Sequence, residues 1–316
     1  MIFGEGATKD LYRRMLWGPG VMALGALPAP WEHRFVRGLG RGASSVARRK
    51  RGEVEANLLR AFPEGVAPDG RALADVAKDV FASHFANQYL GPSFASCTET
   101  DWPRYLAWRG LSHLDAAERD GAGVVLVHPH MGPAQLPLHV LGLLGKNVAQ
   151  IGGGRITRVT LSRTGEWARS RRESFEARMP VRLHDGRAYL RPLVRLLHSG
   201  GIVLSAADGT GGGNELGRRA NRMVLGHSMG IPMGPIWLAV RGHARLHTVH
   251  CYRNTGAGAL YTAEIGPEIL LNREEELQTV LEEGTREIAQ WLDRVLRAHP
   301  GDWLFWDGFA PGALLP

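Results

Sequence analysis

The chain has 316 residues, 44% of them hydrophobic, which is enough to bury a substantial core and argues against disorder. Its formal net charge is +7, carried almost entirely by arginine, so an anionic partner is expected: DNA, anionic lipid, acyl carrier protein and coenzyme A all fit. The two cysteines, Cys97 and Cys251, form no CxxC and join no Cys/His cluster at metal spacing, so neither a disulfide framework nor a metal site is expected, and a reducing cytoplasm is the default.

In chain order, residues 15–31 are apolar, flanked by Arg13, Arg14 and Arg34, and interrupted by Gly18-Pro19. The run is too short and broken for a spanning helix, which needs ~20 apolar residues, and no convincing signal-peptide cleavage site follows. Two readings stay open: an interfacial segment with Trp17 and Trp31 at headgroup depth, or a buried helical hairpin covering the core. Residues 44–62 and 71–90 carry helical periodicity, closed by Pro63 and by Gly91-Pro92. Val124-Val125-Leu126-Val127 reads as a buried strand, 132–144 as a helix and 148–151 as a strand. Further strands are expected at 181–184, 202–206, 222–225 and 244–252, with helices at 187–198 and 233–242 between them. A last helix over 273–298 has Asn272 as its expected cap, ahead of Glu274, Glu275 and Glu276. The pattern predicts an α/β fold: a mostly parallel central sheet flanked by helices, preceded by an N-terminal helical segment. Residues 1–100 form that helical, possible membrane-associating segment and 101–316 the α/β core.

Strands of a parallel sheet present chemistry at their carboxyl ends, and His130 falls at such an end. Gln135 follows five residues later. Inside one helix the two side chains would point ~140° apart, so they converge only if His130 ends the strand and Gln135 opens the helix. Pro129 forces His128 into an extended conformation, which would send His128 and His130 to opposite faces. Asp208 lies at the end of the strand 202–206. It reads either as a loop residue in Asp208-Gly209 or as a carboxylate brought near His130. The Gly-rich loop 209–214 lacks the lysine of a P-loop and reads best as a flexible connection.

Over nearly its whole length the chain resembles the lipid A biosynthesis acyltransferase family, which includes lauroyl and myristoyl transferases and phosphatidylinositol mannoside acyltransferases. The matching segments run in family order: 55–64 with Asn57-Leu58 and Phe62-Pro63, 109–114, the histidine box from Gly123 to Gln135, 196–208, Met223-Val224-Leu225-Gly226 followed by 234–239, and 299–306 with Trp303 and Trp306. The resemblance implies transfer of a fatty acyl group from acyl carrier protein or coenzyme A to a hydroxyl of a lipid or glycolipid acceptor. It places the protein peripherally on the inner face of the cytoplasmic membrane, against an anionic surface, and implies no cofactor beyond the donor thioester. His130 is then the general base, and a carboxylate five residues on would orient it; exchange of such an acid for an amide costs ~10⁴ in rate in serine-protease triads.

This chain carries Gln135 at that acidic position and Ala134 where the family usually has tryptophan. Three readings stay open: a deliberate replacement that traps an inactive enzyme, a natural site that uses another carboxylate, or a degenerate site. Asp208 is the candidate substitute, since the family also keeps an acid there. His130, Gln135 and Asp208 are thus the expected catalytic set. His128, Gly132, Arg163, Arg169 and Arg172 are expected at the substrate, the arginines as phosphate contacts or, with Arg171, as a solvated helix face. Acylation of a soluble specialised metabolite and a non-catalytic lipid- or carrier-binding role remain the competing functions. Nucleic-acid binding has no supporting motif.

Overall fold

The computed structural model describes residues 6–152, 161–186, 188–208 and 217–309. Its first third is helical. Helix α1 (Ala7–Met15) runs into a π-type turn over Leu16–Gly20, where Gly18 leaves helical dihedrals and Pro19 removes a backbone donor. Helices α2 (Val21–Gly25), α3 (Ala29–Val46), α4 (Arg48–Ala61), α5 (Leu73–Tyr89) and α6 (Gly91–Ala95) follow. The helix expected over 44–62 therefore begins at Arg48, because Ala47 leaves the helical region and separates it from α3. Within the apolar run 15–31 the two tryptophans differ in burial. Trp17 is buried against Tyr89 and Phe175, not at headgroup depth, whereas Trp31 is 63% exposed. Helices α3 and α5 touch backbone to backbone at Gly40, where a Cβ would sit 2.6 Å from the Ala82 Cα.

The remaining elements are β1 (Leu106–Arg109), α7 (Ser112–Arg119), β2 (Val124–His128), α8 (Gln135–Leu143), β3 (Val148–Gly152), α9 (Arg163–Glu176), β4 (Arg182–Asp185), α10 (Arg191–His198), β5 (Ile202–Ala206), β6 (Arg219–Val224), β7 (His227–Pro232), α11 (Gly234–Arg241), β8 (Arg245–Arg253), β9 (Tyr261–Glu268) and α12 (Leu277–Ala298). Seven strands form one sheet in the order β1-β9-β8-β2-β5-β3-β4, parallel throughout except for the β8–β9 pair. The central strand β2 is buried along its whole length, which is why it reads as an unbroken apolar run. The expected strand at 222–225 belongs instead to a separate antiparallel hairpin, β6–β7, turned by Leu225 and Gly226 at positive φ. Strands β1 and β9 carry no strong periodicity and were not anticipated. The last helix starts at Leu277, four residues later than expected: Asn272 closes a local turn by accepting from the Glu274 amide and does not cap the helix.

Sheet and helices share a core in which Leu58, Phe62 and Phe81 meet Val125, Val127, Trp303 and Trp306. After α12 the chain returns across the carboxyl edge of the sheet. The Leu304 amide donates to the His130 carbonyl at 2.9 Å, and the Gly132 amide donates to the Asp302 carbonyl at 2.9 Å. This clamp fixes the turn that follows β2.

Candidate active site

His130 sits two residues beyond the end of β2, and Asp208 two residues beyond the end of the neighbouring β5. Because β2 and β5 run parallel in register, with His128 opposite Ala206, their exits lie side by side. The His130 Nδ1 is 2.8 Å from one Asp208 carboxylate oxygen, and the His130 amide donates to the other at 2.8 Å. The Trp303 indole N–H adds a third bond to that second oxygen at 2.7 Å. Asp208 is fully buried, which alone would raise its carboxyl pKa; the facing His130 imidazole and the indole and amide donors outweigh this and hold it below the usual carboxylate range.

An ionised carboxylate only accepts hydrogen bonds, so the proton on the facing ring nitrogen is assigned to Nδ1, leaving Nε2 with its lone pair. The His130 side chain is 32% exposed, and the Phe305 ring covers it at 4.5 Å between centroids. A buried, singly aimed acid and a half-open imidazole can accept a proton from a group arriving from solvent.

Gln135 opens α8, the placement that sequence geometry required for convergence, yet it does not face His130. Its amide donates to Glu176 on α9 at 3.1 Å, and Glu176 also accepts from Arg172 at 2.7 Å. The Nδ1 of His130 is already bound by Asp208, so the orienting contact that a residue at 135 would make to that nitrogen is taken. The expected divergence of His128 and His130 also fails: their ring centroids are 5.6 Å apart, because the chain leaves extended structure after His128. His128 is buried with its Nδ1 3.2 Å from the Pro129 carbonyl; burial, with the neighbouring His130, pushes its pKa down to about 4. It is a neutral wall beside the pair.

Gly132 has φ +53, and a Cβ there would meet the Cys251 carbonyl at 2.9 Å, so its role in this geometry is the backbone clamp. Of the three arginines, Arg169 pairs with Glu166 and Arg172 with Glu176 along their own helix, as a solvated helix face does. Arg163 instead lines a cavity of about 420 Å³ with Arg14, Gly18, Thr164 and Trp167. No described contact joins any of the three to His130. The glycine-rich loop lies outside the described residues.

Sequence reasoning assigned no role to Trp303 or Phe305. Their only signal was the aromatic spacing of the terminal segment, which marks a motif without saying that its indole reaches a buried carboxylate. Both thiols are buried, and burial pushes Cys97 up to about 12 and Cys251 well above its ordinary value, so neither supplies a ready thiolate.

No match was found among curated proteins. The family model for bacterial lipid A biosynthesis acyltransferases matches residues 13–307, taking in the helical segment, the whole sheet, the His130–Asp208 pair and the terminal clamp, and the chain therefore belongs to that acyltransferase family.

Proposed function

We propose that the protein transfers a fatty acyl group from an acyl thioester, carried by acyl carrier protein or coenzyme A, to a hydroxyl of a lipid or glycolipid acceptor, with His130 as general base. The observation that carries this reading is the 2.8 Å contact between His130 Nδ1 and the buried Asp208 carboxylate. The acceptor hydroxyl gives its proton to Nε2 as its oxygen attacks the thioester carbonyl. Asp208 holds the tautomer and stabilises the imidazolium that forms. The tetrahedral intermediate then collapses, the C–S bond breaks, and the imidazolium returns the proton to the leaving thiolate. The products are the ester and the free thiol, with His130 restored.

Asp208 thus takes the part of the family acid, and Gln135 is a natural bracket between α8 and α9. This favours an active enzyme over a degenerate one. No described helix is long and apolar enough to cross a membrane. The exposed residues Trp31, Phe35 and Leu39 recur every four residues on α3, with Met15 and Met22 exposed on the preceding segment. Such a stripe beside arginines suits peripheral attachment to an anionic membrane surface, at the inner face where carrier thioesters are available. Acyl transfer from a labelled thioester to extracted lipid tests the reading. Wild type should transfer and His130→Ala should fall by about 10³-fold, whereas full transfer by His130→Ala would refute the base assignment.

A further inference from the structure

A cluster of arginines lies away from the His130–Asp208 pair, where α3 meets the β8–β9 turn. Asp79 on α5 is a buried carboxylate that receives three arginines: Arg37 at 3.1 Å, Arg41 at 2.6 Å and Arg71 at 2.8 Å. Arg71 also pairs with Asp69 at 2.7 Å, which leaves Asp79 to face two further guanidinium groups, Arg37 and Arg41, with one carboxylate. Beside them Arg253, at the end of β8, is tied only through its backbone, whose amide donates to Asp302. Its half-buried guanidinium makes no hydrogen bond or ion pair with a described residue. Burial, Arg37 and Arg41 disfavour its charge, and Asp302 and Asp79 favour it, the net effect being a lowered pKa. The same field keeps His33 neutral: burial, then Arg37, Arg253 and Arg34, push its pKa down to about 3.

These groups face two adjoining cavities, of about 710 and 440 Å³, that share Arg37, Arg41 and Arg253. The smaller is lined by Arg34, Arg37, Arg41 and Arg253 with no carboxylate, and is closed by the exposed turn 255–258. Arg37 and Arg41 are tied to Asp79, and Arg37 also to Ser83, whereas Arg34 and Arg253 have no carboxylate partner among the described residues; two such guanidinium groups in one cavity match a phosphoryl group, whose oxygens accept paired N–H donors. We propose that this cavity binds the phosphoryl group of an anionic phospholipid headgroup.

Two observations choose a headgroup over a soluble phosphate ester. The arginines of the cavity occupy α3 positions 34, 37 and 41, and the exposed apolar stripe occupies positions 31, 35 and 39 of the same helix. At ~100° per residue Trp31, at one edge of the stripe, lies ~60° from Arg34 and ~80° from Arg41, so a headgroup in the cavity leaves its chains beside Trp31. The adjoining larger cavity, which shares Arg37, Arg41 and Arg253, reaches the clamped edge of the sheet, where Asp302 accepts from the Arg253 amide through its carboxylate and from the Gly132 amide through its carbonyl. The lipid phosphate is thereby held on the side of the molecule where His130 emerges.

The inference shares with the proposed function only the membrane-facing placement of α3. It is tested by binding alone, so acyl transfer can fail without it. The full chain is sedimented with vesicles of phosphatidylcholine, of phosphatidylcholine with phosphatidic acid, and of phosphatidylcholine with oleate, which adds negative charge without phosphate. Phosphatidic acid should strengthen binding more than oleate. Arg253→Gln should weaken the phosphatidic-acid-dependent part by about tenfold and leave phosphatidylcholine binding unchanged. Arg182→Gln, which removes the same charge at the far edge of the sheet, should have little effect. Equal losses in Arg253→Gln and Arg182→Gln, or equal strengthening by oleate, would overturn the site. If Arg253→Gln weakens binding of soluble coenzyme A but not of phosphatidic acid vesicles, the headgroup assignment is overturned in favour of the donor's phosphates.

Discussion

Two buried aspartates, Asp79 and Asp208, meet their partners in opposite ways. Asp79 is surrounded by arginine: burial would raise its carboxyl, but Arg41 and Arg37 hold it below the usual range, and both arginines also line an open cavity. Asp208 is met by one titratable imidazole, one indole N–H and one backbone amide, so nothing near it stays permanently charged. Permanent cations make an anion site and a structural tie. A single half-exposed imidazole on a buried acid makes a proton acceptor whose charge can change during a reaction.

The largest test of that contrast is Asp208→Asn. It keeps shape but gives Nδ1 an amide that can present a donor, releasing the required tautomer; acyl transfer should fall by ~10⁴-fold in kcat with the fold intact by circular dichroism. Asp79→Ala should do the reverse. Stripping the acid from the buried Arg37 should cost about 3 kcal/mol in a denaturant titration while the His130–Asp208 geometry persists. Acid should act on a third set of groups. His128 and His250 are held neutral, chiefly by burial, with pKa pushed down to about 4, whereas in the unfolded chain they titrate near 6.5. Their contribution is complete above about pH 6.5 and is lost as pH falls towards 4, so each should cost about 2 kcal/mol of stability by pH 5, read from denaturation midpoints between pH 7 and pH 5. Smaller again, Trp303→Phe keeps an aromatic ring but leaves one Asp208 oxygen with a single donor, and should lower kcat about tenfold.

The contrast between the aspartates was only half visible in the sequence. Asp208 could be nominated because β2 and β5 read as buried strands, and parallel neighbours bring their exits together. Asp79 could not: its arginines come from α3, from the loop before α5 and from within one helix pair, and helical periodicity says which face is buried but not which charges meet there. Gln135 misled for a related reason. Its spacing from His130 was compatible with contact and the chain placed both residues as required, but a long-range partner on α9 took the amide. Trp17 and Trp31 are alike in local pattern and differ only because Tyr89 and Phe175 cover one of them. The strands 106–109 and 261–268 escaped because they pair with each other at one edge of the sheet, where alternation is weak and partners distant in sequence decide strand formation.

The central claim is that Asp208, and not residue 135, is the acid partner of His130, and kcat for acyl transfer measured side by side in Asp208→Asn and Gln135→Glu tests it most directly. The account predicts a ~10⁴-fold loss in the first and no gain in the second, because a carboxylate at 135 would face Glu176. Near-normal turnover in Asp208→Asn, with a marked gain in Gln135→Glu, would contradict it.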